Sequence, residues 1–118
     1  MVAMPAFRLD ESQGSDGVAR LTLAGELDLA VYEQLLTRVR LLLDRGIRVR
    51  IDLSALEFID SRGMYALIRA VNLGREAGSA LVEIDPKLTA SVRNALELAG
   101  VTRMLWPPAT RGGASATP

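Results

Sequence analysis

A change of hydrophobic period within residues 48–78 constrains this chain more than any other feature. From Arg48 to Leu53, charged and apolar residues alternate, which is typical of a strand with one buried face. After Ser61, the apolar residues recur at helical spacing, at Met64, Leu67, Ile68 and Val71. The sequence therefore predicts a strand over 48–53, a short connection over 54–60, and a helix from residue 61 that ends at Gly78.

The corner between this strand and this helix reads Asp60-Ser61-Arg62-Gly63. Asp60 and Ser61 are both favoured as helix N-caps, and the free N–H groups of a helix start attract negative charge. We expect any function to be centred at this corner. A purely structural interpretation, in which these residues only cap the helix, competes with that expectation. Arg62 slightly weakens this structural interpretation. A cation in the first turn of a helix interacts unfavourably with the helix macrodipole, at a cost of roughly 0.3–1 kcal/mol.

The composition narrows the classes of function. The chain of 118 residues contains no cysteine and no histidine, which removes the commonest nucleophile, general base and transition-metal ligands. We therefore expect no catalysis, no cofactor and no metal. Fourteen basic residues balance fourteen acidic ones, so the chain has no net charge that would attract it to nucleic acid or to an acidic membrane. Without an apolar run of membrane-spanning length or a signal-peptide layout, a cytoplasmic location is expected.

The rest of the chain alternates strands and helices. Strands are predicted over 7–12, 18–27 and 80–84, and helices over 30–45 and 87–99, with Gly100 as the cap of the last helix. The turn formers of residues 13–17 predict an antiparallel hairpin between the first two strands.

This order predicts an α/β fold with a mixed β-sheet of about four to five strands and helices mainly on one face. Because the strands alternate rather than run as continuous apolar stretches, we expect the other face to leave Arg48, Arg50 and Glu83 at least partly exposed, with Arg50 pairing with Glu83 across strands. One domain is expected over residues 1–106, followed by a disordered tail over 107–118.

Three motifs in register resemble a known family. They are GELD at residues 25–28, DLSALEFIDSRGM at 52–64, and SVRNALELAGV at 91–101. Together they resemble the STAS domain of bacterial anti-sigma factor antagonists, over about residues 7–106.

The resemblance implies a non-enzymatic switch that binds a GHKL-type anti-sigma factor, which is also a serine kinase. In this family the kinase phosphorylates the corner, which usually reads Asp-Ser-Ser/Thr-Gly, at its second hydroxyl residue. Here that position is Arg62, and Ser61 is the remaining hydroxyl that could accept phosphate. A monomer or weak homodimer is expected. The partner-binding residues that the resemblance implies are Asp28, Asp60, Ser61, Arg62, Gly63 and Met64.

Arg62 leaves three outcomes open: a constitutive antagonist, a switch moved to Ser61, or a module that binds another partner or an anionic ligand such as a nucleotide. The sequence also leads us to expect that Gly63 admits a partner backbone and that Met64 is partly exposed. On that basis a Gly63→Glu change would abolish partner binding without unfolding the protein.

Overall fold

The computed structural model describes residues 7–27, 29–78 and 81–107, with the backbone alone at 29–31. The strands are β1 (Arg8–Gln13), β2 (Ala19–Leu27), β3 (Val49–Ile59) and β4 (Val82–Ile84). The helices are α1 (Leu29–Asp44), α2 (Ser61–Glu76), α3 (Ala90–Ala99) and α4 (Thr102–Leu105). The sheet has the order β1-β2-β3-β4, in which β1 and β2 are antiparallel and the other pairs are parallel. The predicted mixed sheet is confirmed.

The apolar face of the sheet carries the core. Alternate residues of β2 are buried, and α1 and α2 pack against each other and against this sheet, as the amphipathic patterns predict. The fully buried side chains with the largest volumes include Leu21, Leu23, Leu35, Leu36, Ile51 and Leu67.

The opposite face of the sheet is polar, as predicted. Arg20, Arg50 and Glu83 stand side by side in the strand register, and Arg50 Nη1 lies 3.1 Å from Glu83 Oε1. Arg48 and Glu83 are exposed and Arg50 is partly exposed. The alternation of apolar and charged residues in the third and fourth strands therefore predicted the solvent-exposed face of the sheet correctly.

Asp52 on this polar face provides a pH-dependent contribution to stability. Burial alone would raise the pKa of Asp52, but hydrogen bonds donated by the Ser54 N–H (2.9 Å) and hydroxyl (2.7 Å), together with the Arg20 guanidinium, outweigh it and lower the pKa. Because the folded pKa lies below the unfolded one, this contribution is present above the unfolded pKa, about 3.9, and is lost as pH falls through the folded value.

We therefore expect Asp52→Asn, which retains an oxygen to accept both Ser54 bonds, to lower the free energy of unfolding at neutral pH. The difference from wild type should shrink as the pH falls below about 4. Urea titrations at several pH values measure this difference. A difference that stays constant with pH would mean that the charge of Asp52 does not stabilise the fold.

The prediction of a connection over residues 54–60 is wrong, because β3 continues to Ile59. Thr22 pairs with Asp52 but Ala24 pairs with Ala55, and a second shift follows between Gly25 and Glu26. Each shift gives β3 one residue more than β2, which is how β-bulges interrupt strict alternation. As a result Leu53, Leu56 and Ile59 are buried at a spacing of three, with two exposed residues between each pair.

The last helices also differ from the prediction. α3 begins at Ala90, not at residue 87, because Thr89 is its N-cap: Thr89 Oγ1 accepts from Val92 N at 3.3 Å and donates to Leu56 O at 2.9 Å. The predicted end is confirmed, since Gly100 is left-handed (φ 71°) and the Val101 N–H donates to Leu96 O. The short α4 was not predicted. The predicted tail, apart from Pro107, lies outside the described residues.

Candidate functional site

The corner that opens α2 lies at the carboxyl edge of the two central strands. Leu27 and Ile59 are the last paired residues of β2 and β3, and the Asp60 N–H donates to Leu27 O at 3.4 Å. α2 starts directly at Ser61. The GELD turn and the corner are therefore neighbours, although Asp28 itself lies outside the described residues.

Asp60 is the N-cap of α2, as its residue type predicts. Its backbone is extended (φ −103°, ψ −177°), and Oδ1 accepts the Gly63 N–H at 2.8 Å. The Asp60 carbonyl accepts the Met64 N–H at 2.9 Å. The carboxylate thus satisfies one of the free N–H groups of the helix, so for Asp60 the structural interpretation holds.

Gly63 does not present an open surface, which corrects the expectation that it admits a partner backbone. The residue is buried, and a Cβ at this position would collide with the Leu27 carbonyl oxygen and lie 2.9 Å from Ile59 Cγ1. At Gly63 the backbone of α2 therefore lies close against the end of β2. The expectation that Gly63→Glu leaves the fold intact is wrong, because its side chain has no space.

Met64 also differs from the expectation of a partly exposed contact. Only 9% of the residue is accessible, and it belongs to the core cluster with Leu67 and Val71. Its helical spacing with these residues, which predicted the buried stripe, was the correct guide. Met64 therefore stabilises the corner by packing in the core.

Ser61 and Arg62 are the exposed residues of the corner. The first turn of α2 itself contains no acidic residue, so the charge of Arg62 adds to the positive end of the helix dipole, which the Asp60 cap partly offsets. The corner therefore offers an exposed hydroxyl and an exposed guanidinium beside the capping carboxylate of Asp60.

An exposed aromatic residue beside the corner was missed by the sequence reasoning. Tyr65 is 55% exposed, and its ring lies 5.8 Å from that of Tyr32 on α1 at an interplanar angle of 31°. One signal could have found it: Tyr65 lies outside the apolar stripe of α2 that begins at Met64. A large aromatic residue in such a position is a candidate contact with a partner.

Four cavities of the described surface lie away from the corner. One of about 470 Å³ lies between β1 and α1, and one of about 430 Å³ surrounds the edge of β4 beside Trp106. Neither these two cavities nor two smaller ones, beside the β1–β2 turn and beside α3, is lined by Ser61 or Arg62. None of these four cavities encloses the corner, whose Ser61 and Arg62 are exposed.

The described residues contain neither a metal-binding cluster nor a helix that could cross a membrane. Histidine, cysteine, aspartate and glutamate side chains in the described ranges form no group of three or more that could hold a metal ion. Within the same ranges, no helix has the length and hydropathy needed to cross a membrane.

Comparison with protein families and solved structures identifies related folds. A family model described as "Mlab, STAS domain" matches residues 11–106. The fold is similar to that of an anti-sigma factor antagonist from Mycobacterium paratuberculosis, with a TM-score of 0.67, 21% identity, and coverage of 89% of this chain and 87% of that one. It is also similar to the anti-sigma factor antagonist SpoIIAA in its unphosphorylated form, with a TM-score of 0.64, 19% identity, and coverage of 81% and 82%.

The same fold occurs in a very different setting. The murine anion transporter Slc26a9 matches with a TM-score of 0.54 and 23% identity, over 72% of this chain but only 14% of the transporter. A comparison with curated protein sequences gave no significant match. At these levels of identity the structural matches establish the fold alone.

Proposed function

Because the chain belongs to the STAS domain family, whose model matches residues 11–106, we propose that it is a regulatory module of the anti-sigma factor antagonist type. In this proposal it binds an anti-sigma factor that is also a GHKL-type serine kinase, in a cytoplasmic partner-switching pathway that controls transcription. It performs no catalysis itself and works as a monomer or weak homodimer. The solved antagonists with the same fold support this class of function.

One observation carries the proposal: the exposed pair Ser61 and Arg62 opens α2 at the carboxyl edge of β2 and β3. This position corresponds to the Asp-Ser-Ser/Thr-Gly corner of the family that the sequence resembles. Asp60, Gly63 and Met64 hold the corner in shape through the cap, the close approach to β2 and the core. In the proposal, Asp28 completes the binding surface from the neighbouring turn.

Arg62 occupies the usual phosphoacceptor position in this proposal and changes the switch. A phosphate would add about −1.5 to −2 charges to the binding surface. Arg62 has no hydroxyl to accept one, and it carries a permanent positive charge instead. The module is therefore proposed to stay in its binding form when the kinase is active.

A kinase assay tests the proposal. Purified wild-type protein is incubated with each GHKL-type anti-sigma factor of its source and ATP, and both complex formation and phosphate incorporation are measured. We expect wild type to bind one of them without being labelled, and Arg62→Ser to become a stoichiometric substrate, because the acceptor hydroxyl is restored.

The double variant Ser61→Ala/Arg62→Ser serves as the matched control and should still be labelled, which places the phosphate on residue 62. Stoichiometric labelling of wild-type Ser61 would show instead that the switch has moved by one residue. If none of these kinases binds wild type, the antagonist proposal fails. The anionic-ligand alternative would then be tested by thermal shift with nucleotides.

A further inference from the structure

We infer that the partner docks on a surface that extends beyond the corner along α2, and that it presents carboxylates on either side of an apolar side chain. This arginine–tyrosine surface consists of Arg62, Tyr65 and Arg69 on α2, and Tyr32 on α1. The inference rests on the proposed function, because it assigns the chemistry that the anti-sigma factor must bring to this side of the module.

The three α2 residues form one continuous stripe. Steps of three and four residues bring side chains to the same face of a helix, so Arg62, Tyr65 and Arg69 follow one another over about 10 Å. Their exposure agrees with this placement: Arg62 and Tyr65 are exposed and Arg69 is partly exposed. The stripe starts at the corner, so it is continuous with the proposed binding site.

The aromatic pair gives the surface a rigid centre. Tyr65 is 55% exposed, yet its ring is held 5.8 Å from that of the partly buried Tyr32. Packing against a second ring lowers the conformational entropy that Tyr65 would lose on binding. Tyrosine and arginine are also the residue types that most often dominate binding energy at protein interfaces.

The charged residues of α2 nearest to Tyr65 on either side are both arginines, Arg62 and Arg69. α2 contains three arginines and a single acidic residue, Glu76, which lies in the last turn. Glu76 Oε2 lies 3.3 Å from Arg69 Nη1, in an ion pair whose side chains are 35% and 62% exposed. Such an exposed pair contributes little to stability, so the guanidinium can exchange Glu76 for a carboxylate of a partner at small cost.

These features define the complementary surface. Arginine binds carboxylates through two parallel hydrogen bonds, and opposite charges across an interface accelerate association. The face of the Tyr65 ring could also attract a cation, but Arg62 and Arg69 would repel one, so an apolar or aromatic side chain fits best there. The partner surface that fits is therefore an acidic one with a central apolar residue, not a basic or purely polar one.

Binding kinetics of single variants test this assignment. The full chain, as wild type, Arg62→Glu, Arg69→Glu and Tyr65→Ala, is measured by surface plasmon resonance against the anti-sigma factor that binds wild type, at about 50 mM and about 500 mM salt. The matched control is Arg75→Glu, which reverses the same charge on the same helix but beside the β4 groove. Melting temperatures are recorded for every variant, so that loss of fold is separated from loss of contact.

We expect each arginine reversal to raise Kd at least about tenfold, mainly through slower association, with a smaller loss at high salt. Tyr65→Ala should raise Kd by a similar factor through faster dissociation, and Arg75→Glu should change it less than about twofold. Binding that is unchanged in folded Arg69→Glu and Tyr65→Ala would overturn this surface and leave the proposed function standing. Failure of wild type to bind any anti-sigma factor would overturn both.

Discussion

Alanine at position 63 should destabilise the protein by about 3 kcal/mol, because the added methyl group has no space. It would collide with the Leu27 carbonyl oxygen, which belongs to a paired strand and cannot rotate away as a side-chain tip can. Alanine favours a helix over glycine by up to about 1 kcal/mol, and this gain is smaller than the cost of overpacking. Urea unfolding followed by circular dichroism measures the difference.

Ser61→Ala is the control, since it also introduces alanine into the first turn of α2, but two positions away and on an exposed residue. It should alter the free energy of unfolding by no more than about 0.5 kcal/mol. A Gly63→Ala variant as stable as wild type would mean that α2 can move off the end of β2. Larger residues at this position should prevent folding, so Gly63 variants cannot report on partner binding.

Leu56→Ala should cost about 2–5 kcal/mol, whereas Phe58→Ala should cost less than about 1 kcal/mol. Leu56 is fully buried and Phe58 is 47% exposed, although both are large apolar residues of β3. In a strand that alternated strictly from Val49, Leu56 would lie on the polar face and its truncation would be nearly neutral. The first bulge reverses this placement for Leu56, and the second restores the original alternation by Ile59.

Denaturant titrations of the two variants under identical conditions distinguish the two registers. A small loss for Leu56→Ala would contradict the bulged register and restore the strict alternation. The comparison is informative because Phe58 is exposed in both registers, so its variant controls for the general effect of truncating a large side chain in this strand.

Much of the candidate site was predictable because it depends on residues a few positions apart. The Asp60 cap needs only the N–H of Gly63, and the buried face of α2 follows from the spacing of Met64, Leu67 and Val71. The polar sheet face followed in the same way from the alternation of residues 48–53. Local hydrogen bonds and the periodicity of buried side chains depend on residues close together in the chain, so they can be inferred from the sequence.

Other features of the site were decided by elements that meet only in the folded chain. The need for glycine at position 63 comes from the Leu27 carbonyl, and the exposed ring of Tyr65 is positioned by Tyr32 on another helix. The apolar period of α2 did place Met64 in the core, but the hypothesis of a binding corner led us to expect it outside.

By itself the sequence determined the family resemblance, the order of strands and helices, the solvent-exposed face of the sheet and the residue types present at the corner. Only the tertiary structure decided that β3 continues to Ile59, because its bulges exist only relative to the register of β2. It likewise decided which residues of the corner a partner can touch, since accessibility depends on how closely α2 packs on β2, and that distance is set by atoms far apart in the chain.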